Sequence, residues 1–329
     1  MHDLAVIIVS TNEASWLTPC LSSVYEHAGE IDLDVVVVDN ESTDGTRELI
    51  ERDFPEVRVV PSANRGFSHA NNRGAMSTDS RYVLFLNPDT EVVTGTFGDL
   101  VDLMDERPTV GLTGVRQITK DGELWPTIRR FPNALRSLGE ALGSERLPVH
   151  SRFLGERELD LAEYDREREC DWTSGSFMLA RREALLSAGL LDERSFIYTE
   201  EPDLCLRMRR AGWRILHLPA MTIVHHAGKG GVRPRMVAQS AYARRHFARK
   251  HFSAPHRAAF LAALYLRHGL RATLPARDRE LGRRRRDAAR LAASTLAGRT
   301  PPPFGPPPAT AVAPLDRHPG EPAVSARRD

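Results

Sequence analysis

Cysteine is scarce in this 329-residue sequence: Cys20, Cys170 and Cys205 are odd in number and form no C-x-x-C pair. A disulfide framework and a cysteine zinc cluster are therefore excluded, and these residues are expected in the core or on helix faces. Long apolar runs are missing too. The longest near the C-terminus, Ala258 to Leu266, falls far short of the ~20 residues that cross a bilayer. The N-terminus has no basic segment or cleavage site before Leu4-Ala-Val-Ile-Ile-Val9, which reads as a first buried strand in a protein expected in the cytoplasm. What is present is ordinary globular composition, 41% hydrophobic with 7% aromatics, which excludes fully disordered and fibrous chains.

A formal net charge of +1 hides a polar molecule. Residues 1–206 carry 20 basic and 38 acidic side chains, residues 207–299 carry 22 and 3, and residues 300–329 carry 3 of each. Such asymmetry marks an electrostatic anchor for an anionic partner, a membrane surface or a nucleic acid.

Through residue 120 short apolar runs alternate with amphipathic stretches at the spacing of βα units. Strands are expected at Ala5–Val9, Asp34–Val38, Val57–Val60 and Tyr82–Leu86, and helices near Ser15–Glu26, Thr43–Asp53, Ser68–Met76 and Phe97–Glu106. Val35-Val-Val-Val38 fits a strand buried on both faces of a parallel sheet. Ligands of such sheets lie beyond the C-terminal strand ends, where this chain has Ser10-Thr11-Asn12-Glu13, Asp39-Asn40-Glu41-Ser42, Asn64-Arg65-Gly66 and Asn87-Pro88-Asp89. Residues 120–170 read as an irregular insertion. Then come a strand at Trp172–Arg181, helices at Arg182–Ala188 and Glu201–Ala211, a strand at Trp213–His217 and basic helix from Arg235 to Leu274. The division is thus 1–232 for the α/β body, with halves meeting near residue 120, 233–275 for a basic amphipathic region, and 276–329 for an Arg/Pro-rich tail expected to be largely disordered.

Tyr82-Val-Leu-Phe-Leu-Asn-Pro-Asp89 delivers a carboxylate at a strand tip, suited either to a divalent cation that also holds substrate phosphates or to a helix N-cap. Asp39 suits a ribose or imide contact, or a cap, while Ser42 and Asp44 look like turn and capping residues. Asn64-Arg-Gly66-Phe is a Gly-permitted turn before a helix N-terminus that can hold phosphate, or is structural alone. Three acids in four residues, Glu200, Glu201 and Asp203, exceed what a helix dipole needs, and close carboxylates raise one another's pKa toward a useful base. His225 offers nitrogen to a Mn- or Mg-type site shared with Asp89.

In order, these motifs resemble family 2 glycosyltransferases of the GT-A fold, especially bacterial rhamnosyltransferase-like members. The match runs through V-I-V-S-x-N, V-V-D-N-x-S-x-D-G-T, N-x-G-F-x-x-A-x-N-x-G, L-N-P-D, S-G-x-F-M-L, the acidic helix and H-H-x-G, from residue 6 to about 231. The resemblance implies a Rossmann-like sheet flanked by helices and an inverting, Mg2+- or Mn2+-dependent transferase. It would use a nucleotide-diphosphate sugar, dTDP-rhamnose or a UDP-sugar, and a glycan or polyprenyl-linked acceptor in cell-wall or surface polysaccharide synthesis. It places the donor on Ser10, Thr11, Glu13, Asp39, Asn64, Gly66, Asn72 and Asn87, the metal on Asp89 and His225, and the base at Glu201, with Glu200 and Asp203 as alternatives. Asn87 stands where the usual D-x-D has its first acid, and Glu201 where the catalytic aspartate stands. A catalytically silent nucleotide-sugar scaffold is one alternative. A sugar-phosphate nucleotidyltransferase is another, though Ser10-Thr-Asn-Glu13 lacks the glycines of its loop.

Within Arg233–Arg290, apolar residues flanked by arginine suit helices lying on an anionic membrane surface, with peripheral attachment to the inner face of the plasma membrane as the consequence, or else a solvated or homodimer-packing helix. No recognised nucleic-acid-binding fold accompanies the charge, so nucleic acid is not expected as a partner.

Overall fold

The computed structural model describes residues 1–144, 154–226, 232–273, 275 and 278–305. Its first half is a run of βα units: β1 (His2–Ser10), α1 (Ala14–Glu26), β2 (Leu33–Asn40), α2 (Thr46–Asp53), β3 (Arg58–Ser62), α3 (Phe67–Met76) and β4 (Ser80–Leu86). These four strands are parallel in the order β3-β2-β1-β4. Side chains alternate between two cores. Val6, Ile8, Val35, Val37 and Leu84 pack against α1 and α4 (Phe97–Asp105) on one face. Ala5, Ile7, Val36, Val38 and Phe85 pack on the other against α3, α6 (Arg182–Ser187) and α7 (Glu200–Arg210). Burial on both faces explains the unbroken Val/Ile runs, each such side chain contributing about 1.5–3 kcal/mol.

The remaining strands are β5 (Thr90–Thr94), β6 (Val110–Ile118), β7 (Arg168–Glu169), β8 (Phe177–Arg181) and β9 (Arg214–His225), and among the described residues the sheet continues β4-β8-β6-β9-β5 with β7 on β9. β8 is antiparallel to both neighbours, whereas β6 and β9 are parallel. Sequence periodicity anticipates neither β5 nor β6, starts β8 five residues early at Trp172 and stops β9 at His217. The β6–β9 register jumps beyond His217, and Pro219, which has no N–H to donate, sits in that irregularity. The 120–170 insertion holds α5 (Ala134–Ala141) and a 3-10 turn at Leu161–Tyr164.

Beyond the sheet, α8 (Pro234–His251), α9 (Ala254–Thr273) and α10 (Arg279–Ala297) share a small core of Ala241, Ala248, Phe260, Leu264, Ala292 and Leu296. The expectation of disorder from residue 276 onward is corrected for α10. Its start is capped by Asp278, whose carboxylate accepts the Leu281 N–H at 2.7 Å, and its end by Gly298 at φ +73°. The Pro-rich segment from 306 onward lies outside the described residues.

Much of the charge asymmetry is satisfied inside the chain. Basic residues of α8 and α9 clamp these helices onto acids of the body: Arg244 on Glu156 (2.6 Å), Lys250 on Asp192 (2.6 Å) and Asp203 (2.7 Å), and Arg267 on Glu140 (2.7 Å). The C-terminal stretch is therefore a packed helical layer and not a free basic arm. Among the described residues no helix is long and apolar enough to cross a membrane.

Candidate active site

A cleft of about 440 Å³ opens beyond the C-terminal ends of β1, β2 and β4. Thr11, Glu13, Asn64, Gly66, Asn87 and Asp89 line it together with Ser174-Gly-Ser176, Phe196 to Tyr198, Glu200 and Glu201. This is where a parallel sheet exposes loop residues that its strands hold rigid.

On the β1–β2 side, Asn40 donates from Nδ2 to Thr11 Oγ1 (3.3 Å) and to Asn64 Oδ1 (3.0 Å), tying three loops together. Gly66 is required by a close approach. Its φ is +102°, and a Cβ there would sit 2.2 Å from the carbonyl oxygen of Phe196, the same oxygen that accepts the Phe67 N–H at 2.8 Å. Burial, then the charges of Asp89 and Asp44, raise the Glu13 carboxyl.

Asp89 and His225 meet because β5 and β9 are antiparallel with Thr90 opposite His225. His225 Nε2 lies 3.4 Å from Asp89 Oδ1, and the Asp89 carbonyl accepts the His226 N–H at 2.9 Å. Nδ1 of His225 is buried without a partner. The neighbouring His226 is engaged otherwise, with Nε2 2.6 Å from Glu91 and its ring stacked on Trp16. The His225 Nε2 beside the Asp89 carboxylate is a nitrogen and oxygen donor pair that fits a divalent cation completed by phosphate oxygens and water, and the orphaned atom is the other ring nitrogen. Among the described residues no cluster of three or more His, Cys, Asp or Glu could hold a metal ion by itself.

The entry to α7 begins with backbone strain. Tyr198 and Thr199 have φ of +77° and +66°, conformations that cost side-chain-bearing residues of order 1–3 kcal/mol and that cluster at functional sites. They turn the chain into α7 so that Glu200 and Glu201 face the cleft. Burial, then the Glu201 charge, push the Glu200 carboxyl well above the ordinary carboxylate range, and its Oε2 has no partner. Burial raises Glu201 also, but Gly175 donates its N–H to Oε1 at 3.2 Å and the positive charge of Arg129 opposes the shift. Both carboxyls of the pair are raised, Glu200 the more strongly because it lacks the Gly175 and Arg129 partners of Glu201. Asp203 differs: burial would raise it, yet His251, Arg207 and Lys250 outweigh that and hold it at about 2. Its carboxylate points to α8, with His251 Nε2 and Lys250 Nζ both 2.7 Å away, and it does not line the cleft.

Four other residues singled out from the sequence also stand outside the lining: His225, whose Nε2 lies 3.4 Å from Asp89, and three more. Ser10 is fully buried at the end of β1. Asp39 is buried, accepts the Ser42 N–H at 2.9 Å and pairs with Arg47, which together hold it below its usual range against the cost of burial. Asn72 links α3 to the loop after α6, accepting the Leu191 N–H (3.0 Å) and donating to Glu193 (2.9 Å). Asp44 caps α1 instead of its own helix alone, accepting the Ala14 N–H at 2.9 Å. Asn40, Tyr198, Phe196 and Ser176 also line the cleft, although none was singled out as a ligand from its motif. The signal for Asn40 was available: adjacent residues at a strand end point to opposite faces, so a buried Asp39 places Asn40 on the other side.

The family described as Glycosyl transferase family 2 matches residues 5–185. The N-acetylglucosaminyl-diphospho-decaprenol L-rhamnosyltransferase of Mycobacterium tuberculosis is 33% identical over 238 residues, covering 68% of this chain and 76% of that one. The rhamnosyltransferase WbbL of Escherichia coli is 25% identical over 236 residues, covering 68% and 83%. Among solved structures, mannosyltransferase PcManGT from Pyrobaculum calidifontis, in complex with GDP-Man and Mn2+, superposes with a TM-score of 0.56 at 17% identity over 91% of this chain and 88% of that one. GalNAc-T7 with UDP, GalNAc and Mn2+ gives 0.58 at 17% identity over 88% of this chain and 54% of that one, so the chain spans about half its length. At such identity these two show the fold, which is GT-A. With a family match over more than half its length and a relative one third identical, the chain belongs to glycosyltransferase family 2 and is a transferase of that family.

Proposed function

We propose that this enzyme transfers a sugar, with inversion, from a nucleoside-diphosphate sugar to a hydroxyl of an acceptor glycan carried on a polyprenyl diphosphate, for cell-wall or surface polysaccharide. dTDP-rhamnose is the first donor and a UDP-sugar the second, since the relatives at 33% and 25% identity are named rhamnosyltransferases, one of them for a diphospho-decaprenol substrate. The observation that carries the reading is that Glu201 and Asp89 both line one cleft beyond the strand ends.

In this reading Glu201 Oε accepts the acceptor hydroxyl's proton, the freed oxygen pair bonds to the anomeric carbon, and the bond from that carbon to the diphosphate oxygen breaks with its electrons leaving on the nucleoside diphosphate. Such a base contributes about 10²–10⁴-fold. A divalent cation held by Asp89 and His225 would supply positive charge to the departing diphosphate. Thr11, Glu13, Asn64, Gly66 and Asn87 contact the donor, Ser10, Asp39 and Asn72 shape its wall from behind, and the unpartnered Glu200 Oε2 is free to bond an acceptor hydroxyl. The helical layer attaches peripherally to an anionic membrane, where the lipid-linked acceptor resides.

The test is a donor panel assayed by nucleoside-diphosphate release in Mg2+ or Mn2+ with a synthetic sugar-diphospho-prenyl acceptor. Acceptor-dependent release from dTDP-rhamnose or a UDP-sugar is expected. Donor binding without release from any donor overturns the catalytic reading in favour of a silent scaffold.

A further inference from the structure

A second pocket, of about 470 Å³, lies between α8 and α9. Arg233, Arg244, Arg267, His268 and Arg271 line it, and no carboxylate is among its described lining residues. Two acids stand behind, Glu156 pairing with Arg244 and Glu140 with Arg267. Arg267 is only 16% exposed, and its Nε is buried without a partner. Burial and then Arg244 lower Arg267 to about 10, a strain on its charge that a bound anion would relieve; burial and then Arg267 lower His268 to about 4, so it stands neutral here, while Glu156 raises Arg244 against the cost of burial. Guanidinium forks match phosphate oxygens bidentately, and several converging on one pocket suit a group with more than one phosphate.

Two relationships identify the ligand further. Tyr198 lines both this pocket and the catalytic cleft, so a molecule seated on the arginines extends past one side chain toward Glu200 and Glu201. On the other flank, α5 and α9 leave an apolar channel of about 510 Å³ lined by Leu135, Leu138, Ala259, Ala262, Ala263 and Leu266. The two hollows share α9 residue against residue: Ala263 and Leu266 line the channel while Leu264 and Arg267 line the pocket. Leu135, in the channel wall, is 52% exposed. An anionic pocket ligand with an apolar tail on one side and a reactive hydroxyl on the other is the chemistry of a prenyl-diphosphate-linked sugar.

We infer that the arginine pocket between α8 and α9 binds the diphosphate of the polyprenyl-linked acceptor, with its first isoprene units in the α5–α9 channel and its sugar beyond Tyr198. This rests on the transfer reading above and assigns the acceptor subsite within it.

Two experiments separate the two ideas. In calorimetry with the full chain, farnesyl diphosphate is expected to bind more tightly than inorganic pyrophosphate. The double substitution Arg233→Gln/Arg271→Gln, on exposed side chains, should weaken both by about tenfold or more, and Leu138→Glu should weaken farnesyl diphosphate alone. Equal binding of the two probes overturns the lipid assignment, and unchanged binding in the arginine variant overturns the pocket, whether or not any transfer is detected. In steady-state kinetics the arginine variant should raise the acceptor KM about tenfold or more, leave the donor KM and kcat within about twofold, and match the unsubstituted enzyme on an alkyl glycoside acceptor lacking the diphosphate. A raised donor KM instead places the donor's diphosphate in the pocket and overturns the inference. Absence of transfer by the unsubstituted enzyme with intact farnesyl diphosphate binding strikes only the reading of the cleft.

Discussion

Oε1 of Glu201 accepts the backbone N–H of Gly175 at 3.2 Å, and a Cβ at position 175 would lie 2.9 Å from that same oxygen. The S-G-S turn is thus a fitted cradle for one carboxylate, whereas the adjacent Glu200 keeps a buried oxygen without a partner. Glu201→Gln is expected to lower kcat by about 10²-fold or more, and Glu200→Gln by less than about tenfold. Because both carboxyls are raised, the base is silenced as pH falls through a value above 4.5, and kcat should decline on the acid side at higher pH than an ordinary carboxylate gives. A pH profile of kcat for the three proteins checks this. Full activity of Glu201→Gln together with loss in Glu200→Gln reverses the assignment.

Asp89 and His225 belong to separate parts of the sequence joined by the β5–β9 pairing. Asp89→Asn and His225→Ala should each weaken Mn2+ binding in the presence of nucleoside diphosphate by at least about tenfold, with thermal stability little changed. Titration calorimetry measures it, and unaltered Mn2+ affinity in both variants removes these residues from the metal's ligands.

Asp203 is a structural counter-ion for α8. Replacing it by Asn leaves Lys250, His251 and Arg207 facing a neutral group, at an expected cost of about 3–5 kcal/mol in chemical denaturation. Its folded pKa of about 2 lies below the ordinary aspartate value of 3.8, so its contribution is present above pH 3.8 and disappears as pH falls toward 2. Wild type and Asp203→Asn should therefore converge in stability across that interval. A constant gap down to pH 2 refutes the ion-pair account.

Arg283, Arg284 and Arg286 are exposed on α10. The full chain is expected to sediment with anionic vesicles at low salt and to be released as salt rises, each basic residue near the surface contributing about 1 kcal/mol. Arg283→Gln/Arg286→Gln should shift release to lower salt. Failure to bind anionic vesicles at any salt concentration eliminates membrane attachment by this layer.

The parts of the fold legible in the sequence are those whose pattern is set locally. Val35 to Val38 and Val6 to Ile8 can only be strands covered on both faces, and the polar residues after them mark the cleft. β5 escaped because Thr90-Glu-Val-Val-Thr94 follows an Asn-Pro-Asp turn and is decided by its partner β9. α10 escaped because Arg283 to Arg286 reads as a charge run, while its buried face up to Leu296 is made of small residues, Gly282, Ala288, Ala292 and Thr295, whose periodicity carries little hydrophobic signal. The caps Asp278 and Gly298 were the available signs. In the site, residue types were legible but directions were not: Asp39 and Asp203 have the chemistry of ligands, and only the tertiary partners Arg47, Lys250 and His251 show that their charges are already committed.

The strand order has a consequence for how the chain is made. β4 gains its second neighbour and β6 its first only when residues 177–181 exist, and β5 waits for β9 at 214–225. During synthesis at about 5–20 residues per second, the first four strands stand for several seconds with an apolar edge unpaired, the kind of edge that recruits other chains. The sheet is therefore complete only once β9 joins β6 and β5, and a nascent chain ending before residue 177 leaves the β4 edge open to chaperones.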